Sequence, residues 1–290
     1  IGSVQDRDFI KKVFDRFNVD TIYHAAAYKH VPLMEQNVMQ SIKNNVFGTL
    51  NIAELSIVAK VKNFILVSTD KAVRSTNFMG TSKRLAEIIC QSHSLKKSST
   101  CFSIVRFGNV LGSSGSVVPL FNKQIAAGGP LIVTHKDVTR YFMTIPEAAQ
   151  LVIQAGSIAK NGEVFVLDMG EPIKILDLAK RMVTLTGLSP VFDKTKPLRG
   201  NEILIVFSGL RPGEKMFEEL TYDKTLLKTT HPRINKTSEK KLDTKDLKVL
   251  LAGLQTAIND GNHSKLCQII SSVNTGVLNL DASHDAFIRK

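Results

Sequence analysis

Apolar and polar positions along the first hundred residues follow two periods in turn. Over 6–17 (DRDFIKKVFDRF), Phe9, Ile10, Val13, Phe14 and Phe17 recur at helical spacing and predict an amphipathic helix. TIYHAAA at 21–27 reads as a short buried strand, and 40–60 as one long helix. FILVS at 64–68 is a continuous apolar run, the pattern of a parallel strand covered on both faces. A helix is expected over 77–91 and a further strand over 101–107 (CFSIVRF). This alternation suits βαβ units, so the expected class is α/β with a parallel sheet.

After Gly112 the pattern changes. Gly, Ser and Pro cluster at 112–119 and 128–130. Short strands at 131–134 and 164–167 and helices at 146–156 and 175–185 suggest a smaller, mixed second lobe, and 247–258 reads as one helix. The expected organisation is a sheet domain over 1–112, a lobe over 113–222 from which the chain returns to the sheet, and a basic helical extension over 223–290. A doubly wound sheet that binds a dinucleotide has a Gly-rich turn after its first strand. No such unit precedes Asp6, and GSSGS at 112–116 follows a late strand. Either the fold is of another type or its first units lie upstream of Ile1.

Composition narrows the classes. Apolar residues make up 43% and charged residues 22% of the 290, which excludes a disordered or collagen-like chain. No apolar run approaches the roughly 20 residues that span a bilayer. Trp is absent and aromatics are 7%, which argues against a stacking platform for nucleic acid. Three cysteines, Cys90, Cys101 and Cys267, show no metal spacing and fit a reduced, cytoplasmic setting. The net charge of +12 suits an anionic partner or an evenly solvated Lys-rich surface; only 224–248 is locally biased.

The candidate chemistry lies at 68–83. Ser68, Thr69, Asp70 and Lys71 follow directly on the buried run, where open α/β sheets place ligands. Met79-Gly80-Thr81-Ser82-Lys83 then opens a helix. An isolated Asp-Lys pair would read as a cap and a solvated amine. Its position at a strand's carboxyl end, the adjacent hydroxyls and the second Lys favour a catalytic reading.

The segment STDKAVRSTNFMGTSKRLAE (68–87) resembles the active-site segment of extended short-chain dehydrogenase/reductases that dehydrate nucleotide sugars. It is most similar to the long, membrane-anchored UDP-N-acetylglucosamine 4,6-dehydratases of bacterial polysaccharide biosynthesis. HAAAYKHVP (24–32), NNVFGTLN (44–51), RFGNVLGSSGSVVPLF (106–121), VTRYFMTIPEA (138–148), FVLDMGEP (165–172) and GLRPGEKMFEEL (209–220) carry the same resemblance. It implies an N-terminally truncated, Rossmann-like NAD-binding sheet with a smaller α+β lobe for a UDP-sugar. NADP is not distinguished from NAD. It also implies a cytoplasmic homo-oligomer, with membrane contact only through segments outside this chain and the parent anchored to the inner membrane. No metal and no nucleic acid are implied.

The roles the resemblance implies are these. Asp70 protonates the departing C6 hydroxyl and Lys71 takes the C5 proton, which asks burial to raise one pKa and lower the other. Thr69 bonds the C4 oxygen, and Lys83 holds the nicotinamide ribose. Met79 replaces the usual Tyr and cannot move a proton, so the C4 base is Thr69, Lys83 or a water. Ser3, Val4, Ala25 and Ala26 contact cofactor; Lys29, Asn45, Asn109, Arg140, Arg211 and Glu214 contact substrate. His24 reads as a satisfied core histidine. Two alternatives stand beside this reading: a UDP-sugar 4-epimerase, which needs no acid–base pair for C5 and C6, and a non-catalytic sugar-nucleotide-binding domain.

Overall fold

The structure, a computed structural model, describes residues 1–273 except 193, 194, 196, 223 and 224. The chain divides into two compact units. The first takes Ile1–Phe107, Gln150–Asp168 and the described residues from Glu219 onward; the second takes Gly108–Ala149 and Met169–Glu218.

The first unit is built on a six-stranded sheet. Its strands are β1 (Thr21–His24), β2 (Asn63–Val67), β3 (Cys101–Arg106), β4 (Glu163–Leu167), β5 (Leu227–Lys228) and β6 (Ile234–Thr237), in the spatial order β1-β2-β3-β4-β6-β5. The first four are parallel, and β6 pairs antiparallel with both β4 and β5. Phe64, Ile65 and Leu66 in β2 and Phe102, Ile104 and Val105 in β3 are buried, as continuous apolar runs require. The class is the α/β one expected. The strand at 164–167 belongs to this sheet rather than to a second lobe, because VFVL pairs beside β3 and is buried throughout.

Three differences have local causes. The expected strand over 21–27 stops at His24, the last residue in register with β2. The expected helix over 40–60 is interrupted: Val38–Ser41 and Gly48–Val58 are α-helical, while Ile42–Phe47 is a π-helix that turns Asn44 and Asn45 inward. Beyond residue 224 the chain adds β5 and β6 to the sheet and two helices, Thr244–Asn259 and His263–Val273. Leu247, Leu254, Ala257, Ile258, Leu266, Cys267 and Ile270 from these helices join the core that holds Phe78, Leu85 and Ile89. Residues 274–290 of the expected extension lie outside the described residues.

The second unit holds a parallel three-stranded sheet, Ser189–Val191, Glu202–Phe207 and Leu131–Val133, with two further strand pairs. Helices Val117–Ala126 and Ile175–Leu185 pack on it through Phe121, Ile175, Ala179 and Val183. The first of these helices lies in a stretch that the sequence marks as a Gly-Ser-Pro loop. Pro119 is its third residue, in the first turn, where no intrahelical N–H is lost.

If the C-terminal helices are core, Leu254→Ala should destabilise the protein by about 2–5 kcal/mol. Val249→Ala, on the same helix but 74% exposed, should change stability by no more than about 0.5 kcal/mol. Urea unfolding of both variants checks this.

Candidate active site

Strand β2 ends at Val67, and the next residues turn into a short 3-10 helix, Asp70–Ala72. The turn is fixed at the backbone: Ser68 N–H donates to the Val105 carbonyl and Asp70 N–H to that of Phe107. Thr69 caps the 3-10 helix through its hydroxyl, which accepts from Lys71 N–H. The same hydroxyl donates to Asp70 Oδ1 at 2.8 Å, and Lys71 Nζ donates to that oxygen at 3.1 Å. Asp70 is fully buried, and its other oxygen, Oδ2, has no hydrogen-bond partner among the described residues.

The Phe78–His93 helix starts beside this turn. Asn77 caps it by accepting from Gly80 N–H at 2.7 Å, and Glu35 accepts Phe78 N–H at 2.7 Å. A Cβ on Gly80 would collide with the Lys71 carbonyl oxygen and Ser75 Oγ, so only glycine lets the helix approach the turn this closely. Met79 is buried. One helical turn on, Lys83 Nζ donates to the Val67 carbonyl at 2.7 Å. Burial lowers the Lys83 pKa to about 8 against the attraction of Glu87. Burial also raises the Glu35 carboxyl to about 7, offset in part by the bond from Phe78.

Thr69, Asp70, Lys71, Met79 and Lys83 are thus gathered at the carboxyl end of β2. Ala25 and Ala26 follow β1 and are exposed, as is Lys29. His24 is a satisfied core residue: its Nε2 meets Thr49 Oγ1 at 2.9 Å, and burial, with the Lys83 charge, lowers its pKa to about 3. Thr49 Oγ1 donates to the Asn45 carbonyl, so Nε2 carries the proton. Asn45 is 1% exposed and braces the protein internally. Its Oδ1 accepts from Tyr28 N–H and its amide donates to the Tyr28 carbonyl and to Ser82 Oγ. Ser3 is exposed, and the Val4 carbonyl accepts from Asn51.

In the second unit, Arg140 and Glu214 face each other at 3.0 Å. Arg140 is buried and donates also to the Thr139 and Met216 carbonyls. Glu214 takes three donors: Arg140, Thr134 Oγ1 and Arg211 N–H. Arg211 itself is exposed, and its guanidinium has no ion pair among the described residues. Asn109 is half-buried in the short strand Asn109–Val110. Among the described residues no group of His, Cys, Asp or Glu is placed to hold a metal, and no helix is long and apolar enough to cross a membrane.

Sequence reasoning missed Glu35 and the charged group behind the turn, Glu87, Arg106 and Glu239. The signal was present: charged residues inside apolar runs, RLAEII at 84–89 and SIVRF at 103–107, mark buried pairs.

Comparison with known proteins agrees with the geometry. The family described as "Polysaccharide biosynthesis protein" matches residues 1–239. The capsular polysaccharide biosynthesis protein CapD of Staphylococcus aureus is 53% identical over 76% of this chain, which spans 35% of CapD. A UDP-glucose 4-epimerase of Rickettsia massiliae is 34% identical over 79% of the chain and 63% of its own length. Among solved structures, Pen from Bacillus thuringiensis has a TM-score of 0.72 at 32% identity, covering 88% of this chain and 81% of Pen. DesIV, a dTDP-glucose 4,6-dehydratase of Streptomyces venezuelae solved as a double mutant with NAD bound, has a TM-score of 0.64 at 18% identity over 76% of this chain and 69% of its own, which shows the shared fold.

Two outcomes follow. Gly80→Ala should cost about 1–3 kcal/mol through overpacking, read by urea unfolding. Lys83 binds its proton less tightly folded (about 8) than unfolded (10.5), so between those pH values the unfolded state holds more protons and stability rises with pH. The stability of wild type relative to Lys83→Met should therefore improve from about pH 7 to about pH 9.5.

Proposed function

We propose, for a chain that belongs to the polysaccharide biosynthesis protein family, the NAD-dependent 4,6-dehydration of UDP-N-acetylglucosamine to its 4-keto-6-deoxy product. The observation that carries this reading is the Asp70–Lys71 pair: an acid and a base 3.1 Å apart, with a second carboxylate oxygen buried and unbonded. Elimination of water across C5 and C6 needs one group to take a proton and another to give one.

The elimination needs one proton to move within the pair before it starts. Its passage from Lys71 Nζ to Asp70 Oδ1 gives a neutral amine and a carboxylic acid, the states the elimination requires. Lys71 then takes the C5 proton. Asp70 donates to the C6 oxygen, which leaves as water. Thr69 is the candidate to hold the C4 oxygen, a role supported by its bond of 2.8 Å to the same carboxylate. Met79 has no proton to exchange, so the base for the C4 hydroxyl is Lys83, with its pKa near 8, a water, or Thr69 acting as a relay that passes its own proton to Asp70.

The residues present fit the nicotinamide end of a cofactor. Lys83 uses one of its three donors on Val67, leaving two for ribose hydroxyls, and Ala25 and Ala26 offer a small, open surface at the end of β1. When bound, NAD⁺ would supply an acceptor for the C4 hydride and, once reduced, the hydride for C6. In the second unit, Arg211 is the candidate for the diphosphate, because Arg140 is already held by Glu214. Glu214 is spent on that pair and on its loop, and Asn45 on bracing, so neither is assigned a substrate contact.

The UDP-glucose 4-epimerase relative favours a second reading, inversion at C4. Mass spectrometry and NMR after incubation with UDP-N-acetylglucosamine and NAD⁺ in deuterated water separate the two. Dehydration loses one water and places deuterium at C5; epimerisation does neither. Asp70→Asn should lower kcat by about 10²–10⁴-fold with KM little changed. Lys71→Met should abolish deuterium entry at C5. Inversion at C4 without deuterium at C5 overturns the dehydratase reading.

A further inference from the structure

The turn that carries Thr69, Asp70 and Lys71 is held at its start by a buried group of charges and at its end by an exposed ion pair beside Tyr222. At its start, Ser68 Oγ donates to Glu87 Oε1 at 2.7 Å. Glu87 is fully buried and takes two bonds from Arg106, at 2.7 and 2.6 Å. Arg106 is also fully buried and reaches on to Glu239, just past β6, which Arg84 meets at 2.7 Å. Burial works against the charge on Glu87, yet Arg106 and Arg84 hold its pKa at about 2.

At its end, the turn closes on residues 219–222. Arg74 pairs with Glu219 and donates to the Tyr222 carbonyl at 2.6 Å. Its φ of +39° is a left-handed conformation that a non-glycine residue rarely adopts unless its surroundings impose it. The Tyr222 hydroxyl donates to the Ala72 carbonyl at 3.1 Å, directly after the Asp-Lys pair. The Tyr222 ring meets the guanidinium carbons of Arg74, Arg84 and Arg106 at 5.9, 5.2 and 5.8 Å from its centroid. One aromatic ring thereby joins both ends of the grip.

Stability alone gives no reason for this arrangement. A buried ion-pair group is often no more stable than apolar residues of the same volume, because desolvation offsets the attraction. Such a group does fix geometry, since each carboxylate and guanidinium is satisfied in one arrangement only. We propose that Tyr222 and Glu239 are positioning residues, which hold the 68–74 turn so that the Asp70–Lys71 pair keeps its geometry. The assignment rests on the dehydratase reading for its effect on turnover, and on the contacts alone for its effect on the turn.

The test uses Tyr222→Phe and Glu239→Gln in the full chain. Tyr222→Phe keeps the ring over the three guanidinium groups and removes only the bond to Ala72. Hydrogen exchange of the Lys71, Ala72 and Val73 amides should quicken by about tenfold, while amides in β2 and β3 are unchanged. Turnover of UDP-N-acetylglucosamine should fall in kcat by a similar factor, about tenfold, with KM within about twofold. Glu239→Gln should act in the same direction, and the milder Tyr222→Phe decides the matter if Glu239→Gln fails to fold. Wild-type exchange at 71–73 in Tyr222→Phe overturns the proposal, and so does exchange that quickens equally across the whole unit. Absent turnover in the wild type would count against the dehydratase reading, while the exchange measurement would still decide the grip.

Discussion

A guanidinium sealed from water must find a partner for its charge and its donors, and Arg106 meets that demand with Glu87 and Glu239. Much of the first unit is arranged around this requirement. Glu87 comes from the middle of the Phe78–His93 helix, Arg106 from the last residue of β3, and Glu239 from the chain just past β6. Helix, central strand and C-terminal strand are therefore set against one another by a contact that tolerates only one register. The apolar core around Phe64, Phe102 and Leu254 supplies the driving force, but apolar contacts can slide and a forked ion pair cannot.

The same logic extends to the chemistry. An acid and a base in adjacent positions tend to neutralise each other, so the pair is useful only where water is kept out and one further group sets their orientation. Asp70 is sealed, Thr69 bonds it, and the close approach of the Phe78–His93 helix at Gly80 closes that side. Lys83 belongs to the same helix, so the separation of the two lysines is set by secondary structure. The coupling runs through short contacts between rigid parts.

Strands buried on both faces were legible in the sequence because runs such as FILVS are short, continuous and rich in β-branched and aromatic residues. The helix read over 77–91 is present as Phe78–His93, and the turn at 68–72 was legible from its place after β2. The strands at 227–228 and 234–237 were not. The first is two exposed residues at the sheet's edge, and the second is a four-residue stretch in which polar Asn235 and Thr237 are buried, so neither carries an apolar period to read. The helix at 117–126 was hidden by Pro119, a breaker in mid-helix and harmless in a first turn. Asn45 and Glu214 read as ligand contacts in sequence, which gives no sign of the partners each has within the protein. The partners that occupy them, Tyr28 and Ser82 for one and Thr134 and Arg140 for the other, are distant in sequence.

The π-helical turn at 42–47 fixes the chain's tolerance of length changes. Such a turn accommodates one residue more than an α-turn, and each residue of an α-helix advances the face by about 100°. Deleting a single residue there would close the turn as regular α-helix and leave the flanking helices in nearly the same phase. Val38 and Ile42 would keep their places in the core, but the widened turn that aims Asn45 at Tyr28 and Ser82 would be lost. The surplus residue works as a local bulge that re-aims side chains without disturbing the helices on either side. Natural variation in the chain's length should accordingly fall in the exposed connections, such as 95–99, and spare this turn.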